Sequence, residues 1–112
     1  MPIELALLGE SQATSALLRW VCKEFVPGGR FLPYTNGAMY QFLDSEGRGL
    51  LTVFPAKHVE DPGAAKRLVE NPPEHFSTWT DVLIPWDSDR ELVFAVADRI
   101  AEFSECRVHV RI

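Results

Sequence analysis

Apolar and polar residues alternate from Ile3 to Leu7, with Glu4 breaking the apolar run, and this period of two predicts a first strand that Gly9 ends. The period then lengthens. Leu17, Leu18, Val21, Cys22 and Phe25 recur at helical spacing, Ser11 upstream is a capping residue, and Pro27, Gly28 and Gly29 stop the helix. Three short strand-like runs follow, Arg30 to Tyr34, Ala38 to Asp44 and Gly49 to Phe54, separated by Thr35-Asn36-Gly37 and by Ser45-Glu46-Gly47-Arg48. Asn-Gly supplies the two positive φ angles of a type I′ turn and Gly47 allows a longer reversal, so the three runs read as an antiparallel meander. Pro33 has no amide hydrogen to give a neighbour, which places its strand at the sheet edge.

Pro55 ends the meander, and Lys57 to Pro73 reads as a polar surface excursion with room for two helical turns around Ala64, Ala65, Leu68 and Val69. Ser77 to Pro85 carries the apolar run Val82-Leu83-Ile84 and predicts a strand. Ser88-Asp89-Arg90-Glu91 has the form of a capping box, opening a helix whose apolar stripe is Leu92, Val93, Val96, Ala97, Ile100 and Phe103. In the last strand Cys106, Val108, Val110 and Ile112 are expected to point inward, with Arg107, His109 and Arg111 in water. This order predicts an α+β fold in one domain over residues 1–112. Its expected form is a single mixed, mostly antiparallel sheet of about six strands with two amphipathic helices on one face.

One pattern conflicts with that picture. The second and third meander strands are apolar at both parities, with Met39 and Leu43 opposite Tyr40 and Phe42, then Leu51 and Val53 opposite Leu50 and Phe54. A sheet covered on one side needs one apolar face, so the meander either curls to close a second core, the favoured reading, or offers its second face to a partner.

Charge narrows the functional classes. The chain of 112 residues carries a net charge of −5, and the excess lies between Asp44 and Glu91, where ten acids face five bases. An acidic surface repels phosphate backbones and anionic lipid, which argues against nucleic-acid and membrane binding and favours steering toward a basic partner. The start of the chain shows no basic region followed by an apolar core, so a cytoplasmic protein is expected. Cys22 and Cys106 have no paired spacing and read as buried free thiols.

Candidate chemistry is sparse. The turn Leu8-Gly9-Glu10-Ser11-Gln12 lacks the further glycines and the Lys-Ser/Thr of a phosphate loop. His58, Glu60 and Asp61 supply too few donors for a metal without a further ligand, and no serine or cysteine has a nucleophile's flanking motif. No cofactor, metal or catalytic residue is therefore expected, and the chain reads as a non-enzyme. Asp87 and Asp89 suit a helix N-terminus, where the macrodipole favours acids. Capping leaves Trp79 and Trp86 unexplained, and exposed aromatics beside carboxylates are how a protein-binding hot spot is built. Trp86 is expected to be buried and Trp79 to be partly exposed. The expectation is an acidic protein-binding module of the kind a bacterial immunity protein presents to a basic toxin domain. Its contact residues would be Asp44, Glu46, Glu60, Asp61, Glu74, Trp79, Asp81, Asp87 and Asp89. The alternative is a small homodimer, structural or ligand-binding, paired through the meander.

Overall fold

A computed structural model describes residues 2–111. The elements follow the expected order: β1 (Ile3–Gly9), α1 (Ser15–Phe25), β2 (Arg30–Tyr34), β3 (Met39–Leu43), β4 (Gly49–Val53), the two-residue β5 (Lys57–His58), β6 (Thr78–Ile84), α2 (Arg90–Phe103) and β7 (Cys106–Val110). They form one α+β sheet in which every pairing is antiparallel, with strand order β2-β3-β4-β6-β1-β7 and β5 pairing the start of β6. The mixed sheet that was expected is thus antiparallel throughout. Pro33 lies on β2, at the sheet edge as its missing donor requires. β1 runs between β6 and β7 and antiparallel to both, so the α2 crossover brings the chain back parallel to β6 with one strand inserted between.

Both helices cover the face formed by Leu5, Leu7, Val82, Ile84, Phe42, Leu51 and Val53. They contribute Leu18, Val21 and Cys22 from α1 and Val93, Val96, Ala97 and Ile100 from α2, which are the apolar stripes of the helical period. Burying these side chains supplies most of the folding free energy, at roughly 1.5–3 kcal/mol per large side chain.

The other face departs from expectation. Ala6 and Leu8 are as buried as Leu5 and Leu7, because the stretch after β4 does more than skim the surface. It runs as a strap across β1 and the start of β6 and closes a second, smaller core of Ala6, Leu8, Ala65, Val69, Phe76 and Trp79. A six-residue 3-10 helix, Pro62–Arg67, is held at its start by the Asp61 carboxylate, which accepts from the Gly63 amide at 3.0 Å. Val59 N–H donates to Ser77 O at 2.8 Å and ties the strap's two ends together. The second core therefore forms, but over β1 and β6, while the meander's own second face stays open.

Local departures have local causes. Thr14, not Ser11, caps α1, its hydroxyl accepting from Leu17 N at 3.2 Å, while the Ser11 carbonyl accepts from Thr78 Oγ1 at 2.8 Å. Asp89, not Ser88, caps α2 through Leu92 N, because the Ser88 hydroxyl donates to the Leu50 carbonyl at 3.1 Å. Asn36 (φ 55) and Gly37 (φ 87) take the positive angles expected of them, but in a four-residue loop with a 3-10 turn between Tyr34 and Met39. In β7 the strap half-buries His109 and Arg111, while Val110 is left 54% exposed at the sheet's other edge. Ile112 lies outside the described residues.

Candidate functional site

The nine candidate residues fall in four places. Asp44, Asp87 and Asp89 line one notch of about 660 Å³, between the β3–β4 hairpin and the loop that leads from β6 into α2. Glu46 stands at the hairpin tip, where it pairs with Arg48. Glu60, Asp61, Trp79 and Asp81 border a shallow cleft under the strap, and Glu74 lies apart on the strap's far end with Lys66, Glu70 and Pro72.

The notch is shaped by the turn before β4. The Asp44 carboxylate accepts from the amides of Glu46 and Arg48, both at 2.9 Å, and lies 3.4 Å from Arg48 Nε. These contacts, the Arg48 amide first, hold the Asp44 carboxyl below its ordinary pKa and keep it ionised. Gly47 (φ 84) lets the chain reverse there without the strain a side chain would add. Across the notch Pro85 turns the chain out of β6, and Trp86 projects into water with 68% of its surface exposed. This reverses the expectation for the two tryptophans. Trp79 is buried, packed against Phe76 with ring centres 6.5 Å apart, because the strap covers that face of β6. Trp79 is therefore a core residue and is withdrawn from the contact surface, and Trp86, which was not among the nine candidates, is the exposed ring.

The third place is a charged cluster that reading along the chain missed. Trp79 Nε1 donates to Asp81 Oδ1 at 2.7 Å, which fixes the carboxylate's orientation. Lys57 Nζ lies 3.4 Å from Asp81 Oδ2, and Arg111 Nη1 lies 3.8 Å from both Asp81 Oδ1 and Glu4 Oε2. These residues come from β1, β5, β6 and the end of β7, and only the strand order brings them together. With Phe54, Pro55 and Leu83 they line a cleft of about 600 Å³ beside the strap. Beneath the strap the ring nitrogen Nδ1 of His109 lies 3.4 Å from Glu70 O. Buried His109 Nε2 and Arg111 Nε have no hydrogen-bond partner among the described residues. The alternation of β7 places Arg111 on one face with Arg107 and His109, but only the structure shows that the strap covers part of that face.

Compared with known proteins, the chain matches no family model, and it has no significant match among curated proteins or solved structures. Its function is read from these sites alone.

The remaining chemistry is limited. His58, Glu60 and Asp61 are all exposed, and among the described residues no three metal-ligating side chains converge. Both cysteines are free; Cys22 is buried, which pushes its thiol pKa up, and Cys106 is half-buried with its thiol 3.2 Å from the Ser11 carbonyl. A thiol held protonated by burial is a poor nucleophile. Among the described residues no helix is long and apolar enough to cross a membrane.

Proposed function

We propose that this chain is a non-enzymatic binding module of the cytoplasm that grips a basic protein through the notch between the β3–β4 hairpin and the start of α2. The observation that carries the reading is Trp86, 68% exposed and adjacent in the chain to Asp87, at the rim of a notch that also holds Asp44 and Asp89. A rigid ring in water gains burial when a partner covers it and loses little side-chain entropy, and its π face attracts an arginine or lysine. The carboxylates select the partner's sign, and the excess of acids along the middle of the chain, Glu46, Glu60, Asp61 and Glu74 among them, speeds its approach. A toxin domain with a basic active surface, held by an immunity-type protein, is a partner of this chemistry.

Tagged protein captured from its source cell, as wild type and as the Trp86→Ala and Asp87→Lys variants, tests the reading. Both residues are exposed, so neither change disturbs the fold, whereas Asp89 is spared because it caps α2. A basic protein retained by the wild type, released as salt rises and lost with Asp87→Lys is expected. Equal retention by all three forms overturns the proposal.

One observation favours a second reading. Leu32, Tyr34, Met39 and Leu83 lie on the meander's uncovered face and join neither core, with Tyr34 41% exposed. A second copy packed there would bury them. Sedimentation at tens of micromolar showing monomer alone rules this out.

A further inference from the structure

Arg111 has an unmet need. Its guanidinium carries five N–H donors in a planar fork, yet Nε is buried and finds no acceptor among the described residues. The two carboxylates that neutralise it, Glu4 and Asp81, stand at 3.8 Å, within ion-pair reach and beyond hydrogen-bond length. Trp79 Nε1 orients the Asp81 carboxylate at 2.7 Å, and the guanidinium sits 6.0 Å from the centre of the Trp79 ring. Arg111 lines the cleft, so a ligand oxygen there can take the hydrogen bonds that its 3.8 Å ion pairs leave unmade.

We propose that this cleft binds a small zwitterion with an apolar side chain, a free aliphatic amino acid being the simplest form. The ligand's carboxylate meets the Arg111 fork and Lys57, and its ammonium meets Glu4, whose side chain is 55% exposed and reachable. The charge balance argues for both groups at once. Glu4 and Asp81 offset Lys57 and Arg111, so a simple anion faces two carboxylates and a simple cation faces two bases, while a zwitterion satisfies both pairs. Phe54, Pro55 and Leu83 give the wall an apolar stretch for the side chain, and about 600 Å³ lies within the range of small-molecule sites. This site is separate from the Trp86 notch, and its occupancy does not depend on the binding-module reading.

The test is a titration of the isotope-labelled full chain with L-leucine, followed by the Trp79 indole N–H and Arg111 Nε–H resonances. The single-charge analogues 4-methylpentanoate and isopentylamine are titrated in parallel. Saturable millimolar shifts with leucine are expected, with each analogue binding at least about tenfold more weakly. Arg111→Gln should abolish the shifts, Lys57→Gln should weaken binding severalfold, and Trp86→Ala should leave it unchanged. No saturable shift with leucine, or equal affinity for an analogue, overturns the proposal. Should Arg111→Gln fail to fold, the exposed Lys57 decides: unaltered leucine affinity in Lys57→Gln overturns the proposal as well.

Discussion

On one side of the sheet two helices lay down apolar stripes over β1, β3, β4 and β6, and on the other a strap with only a short 3-10 helix covers β1, β6 and the end of β7 and leaves the meander's second face bare. The helix side holds large side chains at no exposure, such as Phe42, Leu18 and Ile100, whereas the strap side is built from Ala6, Leu8, Ala65, Val69, Phe76 and Trp79. The thinner cover has a counterpart in chemistry. His109 Nε2 and Arg111 Nε, on the strap side, lack a hydrogen-bond partner among the described residues, as does Thr80 Oγ1 on the helix side, and Trp79 under the strap donates to the Asp81 carboxylate rather than only filling space. The two faces thus differ in cover: the cleft proposed for a zwitterion lies beside the thin strap, whereas the Trp86 notch opens at the start of α2.

The largest test of this division is Phe42→Ala. Phe42 is fully buried, edge-on to Phe31 at 5.7 Å, and its loss should cost ~3–5 kcal/mol in urea unfolding, with both faces melting in one transition. A smaller cost than that of any strap substitution would invert the ranking. Val69→Ala comes next. It removes about two methyl-sized groups from the second core, worth roughly 1–2 kcal/mol at the usual value per buried carbon. Amide exchange should quicken at Val59 and through the 3-10 helix before it quickens in β1, because the strap can open alone. Simultaneous acceleration in β1 would show that strap and sheet are one cooperative unit.

The smallest effect belongs to the turn between β3 and β4, which the Asp44 carboxylate holds through the amides of Glu46 and Arg48. Asp44 has its pKa lowered in the folded chain, so its contribution is complete above the unfolded carboxylate pKa and fades as pH falls through the lower folded value. The amide resonances of Glu46 and Arg48 should move together in that acid range, and Asp44→Asn should remove the movement. Amides that shift only on global unfolding would mean the turn is held by other contacts.

The helix side was legible because its signals are local. The stripes of α1 and α2 repeat within a dozen residues, and Asn36, Gly37 and Gly47 announce their reversals by conformations that few other residues adopt. The strap side was not. Ala65, Val69 and Phe76 are too few and too unevenly spaced to show a period, so the segment resembled a solvated loop, and without its cover the parities of β6 could not tell Trp79 from Trp86. The caps failed for a related reason: Ser11 and Ser88 are both capping residues by type, and only tertiary partners reveal that the Ser11 carbonyl serves Thr78 and the Ser88 hydroxyl serves Leu50. Asp81 was picked out as an acid near a tryptophan, but its meeting with Arg111 depends on β1 lying between β6 and β7.

That placement of β1 also sets the order of events when the chain is made. The strand carries Leu5, Ala6, Leu7 and Leu8 and pairs only with β6 and β7, both far downstream of it, whose partners for Leu5 are Val82 and Val110. Until those residues have left the ribosome, the most deeply buried strand of the finished protein has no edge to join, and its apolar side chains stay exposed. β1 therefore cannot take its final place until both of its downstream partner strands have been synthesised.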